Sequence, residues 1–233
     1  MTGLERIVSS PRKIALTAGI LYLLTFISIP TLGLYSSIHN PNYVAGPGPD
    51  TPVFIGGILE IIVALTGIGT AVALYPILKK QNEILALGLV GARVLEASTI
   101  FAGVACLFSV VTLRQSGAGT DALITGQALV VLYDRFFLVG QRFIPAVDDL
   151  LLGFLLYKSR LVPRVLSLIG IIGAPLLIFG DIAILFGFIE QRTPSAILFA
   201  ILVAVFEFSL GIWLVVKGFN RSAAILVAVK TNG

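Results

Sequence analysis

Glu60, Arg93, Glu96, Arg142, Asp148, Asp149, Asp181 and Glu207 all stand inside long apolar runs of the 233-residue sequence. A charged side chain set against lipid costs about 2.5–3.5 kcal/mol on insertion scales, so these residues must face one another or water. Spacing predicts two pairings. Arg93 and Glu96 are three residues apart and share a helix face; Arg142 and Asp149 are seven apart and share another. The charges then fail to balance, because Glu60, Glu96, Asp148, Asp149, Asp181 and Glu207 oppose only Arg93 and Arg142. Crowded carboxylates in a low dielectric repel. Protons, a cation or cationic ligand, or water must meet the surplus, and each points to a cavity. The competing reading makes each charge plain polar glue between helices. Glu207 is the leading site residue, mid-run in Phe206-Glu207-Phe208 with no basic neighbour in sequence. Asp148-Asp149 follows, since adjacent helix residues point about 100° apart, so one of the two can face a cavity while the other contacts a neighbouring helix or Arg93.

Other chemistries find little support. His39 is the single histidine and Cys106 the single cysteine, which rules out any site needing two imidazoles, and no Ser-His-Asp, Cys-His, metal-ligand or nucleotide motif appears. No metal and no cofactor is expected. His39 is read as a solvated loop side chain and Cys106 as an inert thiol. Thr66-Gly67-Ile68-Gly69-Thr70 lies within an apolar run, which suits helix packing better than phosphate binding. Tyr22, Thr25 and Ser28 can project polar groups from the first run, with interhelical hydrogen bonding as the default role.

The elements that must position these residues are transmembrane helices. Hydrophobic residues make up 57% of the chain and charged ones 12%, against about a quarter charged in soluble domains, and the mean hydropathy is +1.02. The fold expected is all-α: an integral membrane bundle of six transmembrane helices forming one domain over 1–233. The spans fall at about 14–35, 53–78, 84–113, 139–157, 165–189 and 195–216. The first run is too long for a signal-peptide core and is read as an uncleaved span. Arg6, Arg12, Lys13, Lys79, Lys80, Lys158, Arg160, Arg164, Lys217, Arg221 and Lys230 fall on one side, with only Arg114 and Arg192 in the opposite loops. Both termini are therefore expected in the cytoplasm, and the net charge of +4 is a topology signal, not a sign of nucleic acid. Residues 121–138 should form an extra short outer-side helix between spans three and four, followed by a bend near Gly140 and Pro145. Asp134 and Arg135 should satisfy each other or water at the outer interface. Tyr75–Ala92 also aligns without a gap on Tyr157–Ala174, pairing Gly88 with Gly170 and Gly91 with Gly173. Either a duplication or the shared needs of two cytoplasmic elbows explains that; paired glycines, and Gly67 with Ala71, would let helices approach closely.

Three stretches carry a family resemblance: Arg93-Val-Leu-Glu96; Asp149 through the Leu-Leu-Leu-Gly153 run to Arg164; and Glu207-Phe-Ser-Leu-Gly-Ile-Trp213 through Gly218. From about Arg12 to Asn220 the chain resembles the bacterial multispan membrane family described as domain of unknown function 4386. The resemblance implies a small polytopic membrane protein of bacteria or archaea, with an arginine in span three, a polar residue early in the Leu-Leu-Leu-Gly run and a glutamate in span six. Arg93, Asp149 and Glu207 match those positions, Asp149 where members often carry asparagine or histidine. It implies no named activity.

The residues leave three functions open. In the first, a membrane-embedded binding or transport protein has a carboxylate-rich cavity, with Glu60, Arg142 and Asp181 at the entrance and Arg93, Glu96, Asp149 and Glu207 at the floor. Proton exchange would couple to ligand binding. Apart from the fourth span, none is expected to be discontinuous. In the second, an intramembrane acid/base enzyme uses Glu207 and Glu60 on an isoprenoid or acyl substrate. In the third, the charges mate with a partner's helices in a structural or regulatory subunit. The partners expected are the lipid bilayer of the cell membrane, a small or lipid-like ligand, and a second copy of the chain in a homodimer.

Overall fold

The computed structural model of the chain describes residues 10–224 and 226; Arg6 and Lys230, used above to orient the bundle, lie outside them. The described residues form helices and no strand. Seven helices carry the architecture: α1 Pro11–Thr25, α2 Thr51–Leu78, α3 Glu83–Gln115, α4 Leu123–Leu138, α5 Ile144–Ser159, α6 Arg164–Leu185 and α7 Pro194–Val216. A π-helical turn, Val139–Phe143, joins α4 to α5. Counted as continuous helical segments, six are long and apolar enough to cross a membrane. Proline occupies the first turn of α1, α2 and α7, where its missing N–H leaves no bond unmade, whereas Pro145 follows the π turn within a continuous helical segment and removes a donor there. Asn82 starts α3 by accepting the Leu85 amide at 3.0 Å.

The helices close into a ring. α1 packs on α2, α2 on α3, α3 on α5, α5 on α6, α6 on α7, and α7 returns to α1; α4 lies along the far half of α3. Arg12 locks the seam between first and last helices by donating to Leu214 O at 3.1 Å and Val215 O at 2.6 Å, carbonyls with no partner inside the last turn of α7. The half of the ring nearest the termini is filled by Leu74, Leu78, Leu89, Leu152, Leu156, Leu210 and Leu214, all essentially inaccessible. Leu65, Val72, Phe101, Ile172, Phe179 and Leu198 project outward, as a surface solvated by acyl chains allows.

Three expectations need correction. The first span is not one helix: after Thr25 it tightens to a 3-10 turn at Phe26–Ser28, and a separate short helix covers Thr31–Leu34. Pro30 cannot donate to the ladder, and hydroxyls take up freed carbonyls: Thr25 donates to Tyr22 O at 2.7 Å and Thr31 to Ser28 O at 2.7 Å. A discontinuous span besides the fourth is therefore present. The glycines of the aligned elbows are not equivalent either. An added Cβ at Gly170 would lie 2.7 Å from the Phe206 ring and one at Gly173 2.9 Å from Leu202 Cβ, whereas Gly91 has open space and Gly88 only Leu151 at 3.8 Å. Only the second elbow uses its glycines for close approach, because only there does a neighbouring helix cross them. Gly67, finally, does not face a helix backbone: its nearest neighbours are Glu96 and Arg93.

Candidate functional site

Around Arg93 the ring gathers side chains from four helices. Arg93 donates to Glu96 Oε2 at 2.9 Å, one turn further along α3, and to Glu207 Oε1 of α7 at 2.7 Å. Its Nε lies 3.4 Å from Asp148 Oδ2 of α5, an ion pair without hydrogen-bond geometry. Its guanidinium also rests 5.6 Å from the centre of the Tyr22 ring of α1, a cation–π contact, and reaches the Tyr22 hydroxyl at 3.4 Å. Asp149, next to Asp148 on α5, adds a further acid: it is fully buried, and neither oxygen meets a hydrogen-bond partner among the described residues. Gly67 lies beside the Arg93–Glu96 pair, where an added Cβ would make ordinary contact, 3.8 Å from Glu96 Oε2. One cation thus holds three carboxyls in the middle of the bundle, with the unpartnered Asp149 as a fourth nearby, and the three-residue spacing of Arg93 and Glu96 acts as expected.

A cavity of about 210 Å³ reaches this cluster from the half of the ring away from the termini. Arg93, Glu96 and Glu207 form its deep polar wall, with Gln141 and Arg142 beside them; Thr25, Phe26, Ser28 and Ile29 from the broken first span, Val63, Pro145, Leu177, Ala200, Val203 and Ala204 complete it. Glu207 is the most accessible member of the Arg93 group, at 14% against 9% for Glu96 and 0% for Asp148. Asp149, Asp181 and Glu60 do not line the cavity.

Arg142 does not pair with Asp149. It donates from Nε to Asp181 Oδ1 at 2.6 Å and from Nη2 to Ala196 O at 3.1 Å. The seven-residue rule assumes α winding, and the intervening π turn changes the rotation per residue. Glu60 is elsewhere again, accepting from Tyr133 Oη at 2.7 Å, so Glu207 and Glu60 are not brought together as an acid pair. Gln141, on the cavity wall, and Tyr133, the partner of Glu60, were not singled out by the sequence; each is one polar group among apolar neighbours with no pairing rule to flag it. Thr25 and Ser28 were visible, but their place on a cavity wall depends on the unwound end of α1.

At the loop end of the bundle, Asp134 turns from Arg135 to Arg192, with His39 Nε2 beside it at 3.3 Å. Neighbours on a helix point about 100° apart and cannot readily pair. His39 is therefore not merely solvated: its Nδ1 bonds Tyr35 O at 2.6 Å, and burial, aided by the Arg192 charge, holds its pKa below the ordinary histidine value. Asp50 clasps Arg114, also accepting from Gln115 at 2.9 Å and Tyr43 Oη at 2.6 Å. The Arg114 hydrogen bonds pull the Asp50 pKa down to about 2, while burial, with the acceptor Asp50, raises that of Tyr43.

No curated protein and no solved structure gives a significant match to this chain. The family model described as "Domain of unknown function (DUF4386)" matches residues 17–218, a stretch that includes every residue of the Arg93 group and both walls of the cavity. With six apolar helices and that match over most of its length, the chain is a multi-pass membrane protein belonging to the DUF4386 family.

Proposed function

We propose that the protein binds a small cationic ligand in the cavity beside Glu207 and exchanges protons as it does so. The observation that supports this most is the unequal charge of the Arg93 group. Arg93 is already engaged by Glu96, Glu207 and Asp148, and Asp149 lies behind them with both oxygens unpartnered. Four carboxyls around one guanidinium need further positive charge, and protons and a cationic ligand compete to supply it. Glu207 is placed to mediate the exchange: Oε1 is held by Arg93, and the carboxyl borders the cavity. The leucine-filled half of the ring separates the group from the other end of the molecule, so this arrangement offers access from one side only, as in one state of a binding or transport cycle.

The test uses methylammonium as probe, titrated calorimetrically into purified protein in buffers of differing ionisation enthalpy. Binding accompanied by proton release is expected, with affinity weakened at least tenfold in Glu207→Gln. Equal affinity in wild type and Glu207→Gln overturns the reading. Positive-inside asymmetry supports termini in the cytoplasm of a cell membrane, and in that orientation the cavity faces the outer half of the bilayer.

A further inference from the structure

The seam between α1 and α7 is shut at one end and parted at the other. At Gly19 an added Cβ would lie 2.8 Å from Gly211 O, so the two backbones touch. Beyond Phe26, whose ring still meets Phe208 of α7 edge-on at 5.2 Å, the continuation of α1 packs on α2, while α7 continues as regular helix toward Pro194. Phe26 and Ile29 on one side and Ala200 and Ala204 on the other then flank the cavity. Ile29 is 59% exposed and Ala204 is exposed; both belong to the outer surface of a bundle whose surroundings are acyl chains. The same cavity ends, near mid-membrane depth, at Glu207 and Arg93. It is a space with a charged floor and an apolar mouth that opens sideways.

Its lining is graded: the space of about 210 Å³ is polar at its floor and apolar toward its mouth. A ligand matched to both ends has a compact cationic head and a tail that stays in the seam. We infer that the seam is a lateral entrance from the bilayer and that the ligand is an amphiphile bearing a primary ammonium, its head against Glu207 and its chain leaving between Phe26 and Ala204. An ammonium has three donors and no acceptor, which suits carboxylate oxygens. Thr25 and Ser28 add hydroxyl groups along its way in. This rests on the cavity reading above and adds the class of ligand and the route by which it arrives.

The experiment compares dodecylammonium and methylammonium binding to the full chain in lipid nanodiscs. Each affinity is referenced to Glu207→Gln protein in the same lipid, so that partitioning into the bilayer cancels. Dodecylammonium should bind at least tenfold more tightly than methylammonium through Glu207, and dodecanoate should not displace it. Ala204→Trp and, as a second variant on the opposite wall, Ile29→Trp should each reduce the dodecylammonium-to-methylammonium affinity ratio at least fivefold. A ratio unchanged in both variants overturns lateral entry, as does equal binding of the two amines by wild type. Displacement by dodecanoate overturns the ammonium head. Loss of the Glu207 dependence itself overturns the cavity reading, a result distinct from these.

Discussion

Arg93 is the residue on which the polar centre depends, and its removal leaves four carboxyls with no cation. Breaking a buried ion pair by deleting one partner costs about 3–5 kcal/mol, so Arg93→Ala should lower unfolding stability by that amount, measured by denaturant titration in detergent. Arg93→Lys should recover little, because an ammonium cannot span Glu96, Asp148 and Glu207 as the planar fork does. Asp149→Asn should by contrast be neutral or stabilising in the same titration, since the carboxyl it replaces has no partner to lose. At the loop end, two titrations have opposite relations to neutral pH. Asp50, held at about 2, contributes stability that is complete above its unfolded value of about 4 and is lost as pH falls through about 2; Asp50→Asn should flatten the melting temperature across that window. His39, held below its ordinary value, is neutral in the fold. The unfolded chain then takes up a proton first, so stability falls as pH drops below about 6.5, and His39→Gln should abolish that slope. At this scale the sequence was informative where a pair lies within one α-helix, as Arg93 and Glu96 do. Across helices it reached one contact, an Asp148-Asp149 carboxyl against Arg93, and missed others: Glu207 showed its need for a cation but not that Arg93 supplies it, and Tyr133 gave no sign of meeting Glu60.

The helices themselves were largely legible, because an apolar run of twenty residues has one economical structure in lipid. Their ends and interruptions were not. Pro30 lies near the end of an uncharged run in which a longer helix was equally compatible with composition, and only packing of the continuation onto α2 separates it from α1. The link from α4 to α5 was expected to bend at Gly140 and Pro145; the structure places a π turn at Val139–Phe143, and with it turns Arg142 toward Asp181. Glycine spacing was a similarly partial guide, since Gly19 and Gly170 face immediate neighbours while Gly91 faces none. Gly19→Ala should cost about 1–3 kcal/mol by overpacking the α1–α7 crossing against backbone, and Gly91→Ala should cost no more than a few tenths; paired thermal melts distinguish the two positions.

Taken as a whole molecule, the ring is polarised along its axis: leucine fills the end holding the termini, and the ion group with its cavity occupies the middle and far half. The basic loops predict which end is cytoplasmic. With Cys106 replaced by serine, a cysteine at Gln191 should react with a membrane-impermeant maleimide on intact cells, and one at Asn220 only after permeabilisation; the reverse pattern would invert the bundle. Closure of the ring also has a consequence for biogenesis. The Arg12 contacts to the α7 carbonyls and the Glu207 contact to Arg93 both wait for the last helix, yet Arg12 and Arg93 leave the ribosome long before it. Until α7 arrives, Arg93 lacks its Glu207 acceptor and Arg12 its α7 carbonyls, so a chain truncated before Pro194 should be cleared faster by membrane proteolysis, as read by pulse-chase.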